Sequence, residues 1–254
     1  MKNKLLLILS LAFAVTAQAK AITAQSYLVT DTHGQTVIEQ NADQRRPIAS
    51  ITKLMTVMVV VDARQSMDEA LKLDFKLAKK YHTRLPRSVK TLTRKELIDL
   101  AMVKSDNFAA YTLCDYFPGG VGACVAAMNA KAATLSMWNT NYTDPTGLEE
   151  TNVSTAHDLI KLIIMAKSYP EIVDATKPSV EIKVKKHWWQ AWNTSPIVRL
   201  HDDDVVVSKT GFINSSGGCL VMLMETKLGQ RIIALLGSRN THTRFPEAEE
   251  LINS

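Results

Sequence analysis

Ser50-Ile51-Thr52-Lys53 is a short stretch whose residue types could perform hydrolysis without a metal ion. On a helix, positions i and i+3 share a face, so the Ser50 hydroxyl and the Lys53 amine can meet. A lysine held in a dry, positively charged site can take the proton of a serine, and a helix N-terminus favours the negative charge that then develops. Alone the pattern is weak, because such a pair is expected by chance about once in a chain of this length.

Two companion clusters follow this pair in the chain. Ser105-Asp106-Asn107 joins two predicted helices, and Lys209-Thr210-Gly211 ends a predicted strand. Ser238-Arg239-Asn240 also fits the pattern S-x-N, but it falls after the lysine cluster and is therefore out of order. In the order found here, S-x-x-K, S-D-N and K-T-G form the signature of penicillin-binding proteins and class A β-lactamases.

Other hydrolytic and ligand-binding patterns are missing from the sequence. The six histidines show no H-E-x-x-H or comparable metal-ligand spacing, and no G-x-S-x-G elbow is present. Lys209-Thr210 is not a phosphate loop, because no glycines precede it at the required spacing. A charged turn explains His201-Asp202-Asp203-Asp204 better than a cation site does. The sequence therefore predicts no metal and no other cofactor.

The N-terminus has the parts of a secretory signal peptide. Lys2 and Lys4 precede an apolar run at 5–15, and Ala17-Gln18-Ala19 supplies a small-x-small cleavage site. We expect residues 1–19 to be removed and residues 20–254 to form one catalytic domain without a stable membrane anchor; an uncleaved anchor is the alternative. Loss of the two lysines lowers the formal charge from +5 to +3, which gives no indication of a nucleic-acid partner.

The three cysteines are an odd number for an exported protein. Cys114 and Cys124 flank a turn signal between two predicted helices, so a disulfide would pin those helices together, although the sequence leaves open whether they are joined. Cys219 lies in an apolar run and is expected to be a buried thiol.

The order of the helices and strands that must position these clusters indicates an α+β fold. Residues 62–90 show too little pattern for an assignment. The other predictions are an opening hairpin (26–30 and 36–40), a buried helix within 48–63, helices starting at Thr93 and Asn107, a third helix through 124–135, a helix over 155–167, β-rich runs from Val180 onward and a final helix over about 246–252. The opening hairpin would then join the C-terminal strands in one antiparallel five-stranded sheet. A mainly helical subdomain, roughly residues 64–175, would be inserted between them.

Through these motifs the chain resembles the low-molecular-mass penicillin-binding proteins of the D-alanyl-D-alanine carboxypeptidase and endopeptidase type. The likeness covers nearly all of residues 20–254 and includes "RRPIASITKLMT", "LIDLAMVKSDNFAA" and "SKTGFINSSGGCLVM". The last of these, with an expected lack of a C-terminal domain, favours the endopeptidase branch. The resemblance implies a serine β-lactamase/DD-peptidase fold, a periplasmic location, peptidoglycan stem peptides as substrates and β-lactam antibiotics as covalent inhibitors.

The resemblance also implies a role for each matching residue. Ser50 would be acylated by the carbonyl group of a D-Ala residue, and Lys53 would be the base that takes its proton. Ser105 would relay a proton to the leaving amine, and Asn107 would bind the peptide backbone of the substrate. Lys209 would add positive charge beside Ser105.

Four further residues would bind the substrate by the same resemblance. Thr210 would hydrogen-bond it, and Gly211 would leave room for a peptide along the strand edge. The amides of Phe212 and Ser50 would form an oxyanion hole. Arg244 has two interpretations that stay open: an arginine that binds a substrate carboxylate, as in the carboxypeptidases, or a solvated arginine near the last helix.

Three alternatives to an endopeptidase stay open at this point. Arg244 favours a carboxypeptidase. A β-lactamase would need a glutamate to activate the deacylating water, but Glu149 and Glu150 lack the E-x-x-L-N context that would place one. A cell-wall-binding protein with a decayed site has no reason to keep all five motif residues. For Trp188, Trp189 and Trp192 we expect packing rather than stacking on glycan sugars.

Overall fold

The protein is described by a computed structural model that covers residues 22–201 and 203–254. The predicted signal peptide at 1–19 lies outside the described residues. The strands are β1 (Ser26–Asp31), β2 (Thr36–Gln40), β3 (Arg46–Pro47), β4 (Ala70–Lys72), β5 (Thr91–Thr93), β6 (Val153–Ser154), β7 (Ser179–Val184), β8 (His187–Trp192), β9 (Val205–Ile213), β10 (Gly217–Met224) and β11 (Arg231–Ser238). The helices are α1 (Thr52–Asp62), α2 (Arg94–Val103), α3 (Asn107–Asp115), α4 (Gly120–Thr134), α5 (Ala156–Ala166), α6 (Pro170–Asp174), α7 (Pro196–Leu200) and α8 (Arg244–Ile252).

One antiparallel sheet contains the first and the last strands of the described chain. Its order is β2-β1-β11-β10-β9, so the opening hairpin lies beside the C-terminal strands, as predicted. Along β11, Ile232, Ala234 and Leu236 pack into the main core, where α5 covers the sheet, and Ile233 and Leu235 pack into a smaller core under α8. This alternation explains the continuous apolar run, because both faces of the central strand are buried. β9 is left at one edge.

α1 lies in the middle of the helical layer. Every residue from Thr52 to Val60 is buried, and the helix contacts α2, α3, α4, α5 and α6. The prediction of a central buried helix is therefore confirmed. Because buried polar groups need hydrogen-bond partners, the polar side chains on α1 must find them inside the protein.

Several helix starts follow from local sequence. Thr93 caps α2: its hydroxyl accepts from the Glu96 amide while the Glu96 carboxylate accepts from the Thr93 amide, as the capping box predicts. α8 starts at Arg244, two residues before the predicted start. Cys114 and Cys124 are joined in a disulfide between α3 and α4, and Cys219 is a buried free thiol.

Two strand predictions need correction. β9 runs through Lys209-Thr210-Gly211 to Ile213, so the motif lies within the strand rather than at its end, with Gly211 paired to Cys219 of β10. β7 pairs only with β8, in a separate hairpin outside the main sheet. The helical subdomain at 64–175 stays a prediction. Within residues 22–201 and 203–254, no helix combines the length and the apolar character needed to cross a membrane.

Candidate active site

The Ser50 hydroxyl and the Lys53 amine meet as the spacing predicts. Ser50 lies in a short 3₁₀ turn, Ala49–Ile51, directly before α1, and the Lys53 Nζ donates to the Ser50 Oγ at 2.7 Å. Ala49 has a φ of +48°, a left-handed conformation that non-glycine residues seldom adopt. Such backbone strain is found preferentially at functional sites, where the surrounding structure holds it in place.

Lys53 is fully buried and has three acceptor oxygens around its amine. Besides Ser50, these are the Asn107 Oδ1 at 2.7 Å and the Thr146 carbonyl oxygen at 2.6 Å. Burial lowers the pKa of the Lys53 amine from its ordinary 10.5 to about 7, and the negative charges of Asp144 and Asp106 oppose part of that shift. A substantial fraction of the amine is therefore neutral near pH 7, as a base for the serine must be.

The second serine and the second lysine form a matching pair. Lys209 is 1% exposed, and its Nζ donates to the Ser105 Oγ at 2.8 Å and to the Thr210 carbonyl oxygen at 3.0 Å. Burial lowers the pKa of the Lys209 amine well below its ordinary value, and the positive charges of Lys53 and Arg244 lower it further. Ser105 has a φ of +58°, a second strained position in the site.

Asp106, the middle residue of the S-D-N motif, has a structural role that the sequence did not assign. Its Oδ1 accepts from the Ala109 amide at 2.9 Å and caps α3, and its Oδ2 accepts from the Thr83 hydroxyl at 2.7 Å. Burial raises the pKa of the Asp106 carboxyl, and the hydrogen bonds of Thr83 and Ala109 oppose that shift. This anchoring fixes Ser105 and Asn107 on either side of it.

The Phe212 amide lies on the free edge of β9. The Ile213 amide donates to the Ser216 Oγ at 3.0 Å, on the side of β10. Backbone groups of consecutive strand residues point to opposite edges, so the Phe212 amide points away from β10. Since β9 ends the sheet, that amide is available to a ligand, as the oxyanion-hole prediction requires.

The Thr210 hydroxyl has a neighbour that the sequence analysis missed. The Thr194 Oγ1 and the Thr210 Oγ1 are 2.6 Å apart in one hydrogen bond. Thr194 follows β8 in the chain, and no motif in the sequence connects it with the site.

Gly211 lies against a segment of the chain that the sequence did not connect with it. A Cβ at Gly211 would lie 2.7 Å from the Ile48 carbonyl oxygen and 3.1 Å from the Ser50 amide nitrogen. The glycine therefore makes room for the segment that carries Ser50, and room for a peptide along the strand edge stays a prediction. Gly147 lies close to the same segment, and a Cβ there would lie 1.9 Å from the Ala49 carbonyl oxygen.

A loop that the sequence analysis treated only as a turn positions the Thr146 carbonyl. The Asp144 carboxylate accepts from the Thr146 and Gly147 amides. The Asn152 Nδ2 donates to the Asp144 carbonyl oxygen at 2.8 Å and to the Thr52 Oγ1 at 3.0 Å, which ties the loop to α1. The "DPTG" turn signal could have marked the loop, but not the partner of its carbonyl.

Arg244 is buried, so its interpretation as a solvated arginine is wrong. It is 5% exposed, and its Nη1 donates to the carbonyl oxygens of Gly211 at 2.7 Å and Cys219 at 3.3 Å. Burial lowers the pKa of its guanidinium to about 10. The side chain extends from the start of α8 and holds β9 in place at the motif through these two hydrogen bonds.

The three tryptophans divide between the two faces of β8. Trp189 packs partly against the core, as predicted. Trp188 and Trp192 are 64% and 52% exposed, so the expectation of packing is wrong for them. The reason is that the β7–β8 hairpin lies outside the main sheet and only one of its faces is covered.

A serine hydrogen-bonded to a buried lysine, facing a second serine–lysine pair, defines the serine enzymes of the penicillin-binding class. A solved structure with the same fold is penicillin-binding protein D2 from Listeria monocytogenes in its ampicillin-bound form, which is 27% identical with a TM-score of 0.79, over 93% of this chain and 98% of that one. The predicted α+β fold is thereby confirmed.

The chain belongs to the peptidase S11 family, described as D-alanyl-D-alanine carboxypeptidase, whose model matches residues 13–240. It is 39% identical over 249 residues to a D-alanyl-D-alanine endopeptidase of Escherichia coli (strain K12), covering 94% of this chain and 79% of that protein. A D-alanyl-D-alanine endopeptidase of Pseudomonas aeruginosa is 35% identical over 272 residues, covering 99% of this chain and 88% of that protein. The chain is thus a serine peptidase of the penicillin-binding class.

Proposed function

We propose that this enzyme hydrolyses D-alanyl bonds in peptidoglycan stem peptides through an acyl-enzyme on Ser50, with the D-Ala–diaminopimelate bond of cross-links as its preferred substrate. The observation that carries the proposal is the 2.7 Å hydrogen bond between Ser50 Oγ and Lys53 Nζ. It is formed at an amine whose pKa is lowered to about 7 by burial. This is the arrangement that a serine nucleophile needs when no histidine serves as its base.

During acylation Ser50 loses a proton and the leaving amine gains one. The Ser50 Oγ gives its proton to the neutral Lys53 Nζ and bonds to the carbonyl carbon of D-Ala. The amides of Ser50 and Phe212 hold the resulting oxyanion, a contribution of a few kcal/mol per donor. The C–N bond then breaks, and the leaving amine receives the proton of Lys53 through Ser105, which leaves the lysine neutral again. Water attacks the ester and gives a proton to Lys53. The bond from the carbonyl carbon to the Ser50 Oγ then breaks, the serine takes that proton back, and a free carboxylic acid leaves.

Lys209 prepares Ser105 for this relay. Because the Lys209 amine donates to the Ser105 Oγ, that oxygen acts as the acceptor and its own hydrogen is free to point toward the leaving amine. Asn107 and Thr210 bind the peptide, and the positive charge of Lys209 attracts an anionic substrate.

Sequence similarity supports an endopeptidase over a carboxypeptidase, whereas Arg244 favours neither. Its Nη1 donates to the carbonyl oxygens of Gly211 and Cys219, but its buried Nε has no hydrogen-bond partner among the described residues and could still serve a carboxylate. Three relatives that are 32–39% identical are D-alanyl-D-alanine endopeptidases, whereas five that are 24–28% identical are carboxypeptidases. By the same proposal, β-lactams acylate Ser50, residues 1–19 are cleaved on export and the enzyme works in the periplasm.

One experiment separates the candidate activities. The mature protein and its Ser50→Ala variant are each incubated with fluorescent penicillin, and separate unlabelled samples of both are incubated with monomeric and cross-linked muropeptides that are then analysed by mass. We expect a stable label on the unchanged protein alone, and conversion of dimers to monomers.

Each other outcome identifies a different activity. Loss of a terminal D-Ala from monomers indicates a carboxypeptidase, and rapid release of hydrolysed penicillin indicates a β-lactamase. A label that persists on the Ser50→Ala variant, or no label on either protein, would disprove the acyl-enzyme on Ser50.

A further inference from the structure

A polar cavity of about 250 Å³ opens directly beside the second serine of the site. Its lining joins a basic loop to the S-D-N motif and consists of His82, Arg84, Lys104, Ser105, Asp106 and Asn107. None of the basic residues belongs to the three catalytic motifs, and nothing in the proposed mechanism uses them.

One hydrogen bond joins the two segments that line this cavity. The Thr83 hydroxyl donates to the Asp106 Oδ2 at 2.7 Å. Thr83 stands between His82 and Arg84, and Asp106 stands between Ser105 and Asn107, so the bond lays the two short segments side by side. The basic side chains are therefore fixed beside the catalytic ones by their chain neighbours.

The cavity wall carries more positive than negative charge. Asp106 is the one acidic group of the lining, and its carboxylate offsets at most one of the two charges of Arg84 and Lys104; it is hydrogen-bonded to Thr83 and the Ala109 amide and not to either cation. Among residues 22–201 and 203–254, no carboxylate forms an ion pair with His82, Arg84 or Lys104. Two side chains that are positively charged at neutral pH, Arg84 and Lys104, thus face a cavity that an anion could enter.

We propose that this cavity is an anion subsite that binds the free side-chain carboxylate of the diaminopimelate residue in a stem peptide. The inference rests on the proposed function, because that function brings a carboxylate-bearing peptide to Ser105 and Asn107. The planar guanidinium of Arg84 can donate two parallel hydrogen bonds to a carboxylate, and Lys104 adds a second charge. Substrates with an amidated diaminopimelate would lose these contacts.

The expected effect is moderate because Arg84 and His82 are exposed to solvent and Lys104 is half-buried. Charge pairs in such positions are screened by water and salt. We therefore expect the subsite to distinguish the free acid from the amide by about fivefold to tenfold at low ionic strength, and by less as salt is added.

Binding to an enzyme that cannot be acylated tests the subsite without any turnover. In the Ser50→Ala protein, dissociation constants are measured for a synthetic stem tetrapeptide with a free diaminopimelate side-chain carboxylate and for the same peptide with that group amidated. We expect the free acid to bind about fivefold to tenfold more tightly. Adding Arg84→Gln and Lys104→Gln together should remove the preference, and equal affinities at the start, or a preference that survives the two changes, would overturn the proposal.

Arg87→Gln in the same background is the matched control. Arg87 is exposed on the same loop but outside the cavity, so its removal lowers the net charge equally without touching the subsite. A loss of preference in this variant as large as that from Arg84→Gln alone would show a general charge effect and contradict the proposal. Failure of the unchanged enzyme to cleave cross-linked muropeptides counts against the proposed function, and leaves these binding results to decide the subsite independently.

Discussion

The two lysine regions of the site share burial but differ in their surroundings. Around Lys53, three oxygens accept from the amine, and the acidic Asp144 and Asp106 moderate the effect of burial, so its pKa stays at about 7. Around Lys209, the neighbouring charges are positive and lower the pKa of its amine further. The same residue type is thereby prepared for different tasks.

This difference indicates when each amine carries its charge. Lys53 exchanges a proton readily at neutral pH without any ligand. Lys209 lies among like charges, so an anionic substrate or oxyanion beside it should raise the pKa of its amine and stabilise the protonated form. We therefore expect the first region to be a proton acceptor in the free enzyme, and the positive charge of the second region to be stabilised by a bound anionic substrate.

The largest effect should come from removing the amine of the first region. Lys53→Met keeps a long apolar side chain on buried α1 but leaves no base for Ser50. General-base catalysis contributes about 10² to 10⁴, so we expect the acylation rate with fluorescent penicillin to fall by about 10³. An unchanged circular-dichroism spectrum is the control for folding. A loss of less than about tenfold would mean that another group takes the proton.

Lys209→Ala should keep the fold and lower the acylation rate by several hundredfold. The reason is loss of a positively charged donor beside Ser105, and removal of one such electrostatic donor typically costs 10² to 10³ in rate. Unchanged labelling by fluorescent penicillin would show that Lys209 is wrongly assigned. The ratio of the acylation rates of this variant and Lys53→Met measures how much each lysine region contributes to acylation.

Gly211→Ala should disturb the spacing between the two regions without removing a functional group. Its Cβ would press on the Ile48 carbonyl and the Ser50 amide, and a shift of about 1 Å in a reacting group can cost about 10²-fold in rate. We expect an acylation rate lower by up to that factor. Gly122→Ala is the matched control, because a Cβ there has open space within α4 and should be neutral or stabilise by about 0.5–1 kcal/mol.

The smallest predicted effect is in the pH dependence. With the Lys53 pKa at about 7, the neutral form of this base becomes about tenfold more abundant between pH 6 and pH 8. The acylation rate should rise by about the same factor over this range. A rate that is flat or falls with pH would contradict the assignment of Lys53 as the base.

Protein stability offers an independent check on the same pKa. Because the folded-state pKa of Lys53 is lowered, the unfolded chain binds more protons between about pH 7 and the ordinary lysine value, so stability should rise with pH in that window. The upper limit is about 1.4 kcal/mol per pH unit from this group. When the free energy of unfolding is measured with denaturant at several pH values, it should rise less with pH in Lys53→Met than in the unchanged protein.

The sequence predicted those parts of the molecule that depend on local pattern. The buried helix carrying Lys53 and the capping box at Thr93 are confirmed. Each has a direct local cause: an apolar run without a polar face, and a threonine three residues before a glutamate. The pairing of the opening hairpin with the last strands is also confirmed, but it joins distant segments and was expected from the order of the elements.

The missed parts depend on contacts between distant segments. The Thr146 carbonyl that accepts from Lys53 cannot be recognised from the residue type, since every residue carries a backbone carbonyl. Gly211 lies against the Ser50 segment, which is far away in the chain. Thr194 reaches Thr210 only because the β7–β8 hairpin ends beside β9. Side-chain patterns show which elements form, but not which backbone atoms they bring together.

The Cys114–Cys124 disulfide connects the active site to the chemistry of the compartment where the enzyme folds. It joins α3, which begins with Asn107, to α4, and closing a loop of this length stabilises a fold by about 3 kcal/mol. In a reducing cytosol the cysteines would stay apart, and the helix that presents Asn107 to Lys53 would lose this tie. Export to an oxidising compartment would then act as a maturation step, so enzyme produced in the cytosol should be less heat-resistant than enzyme that has been secreted.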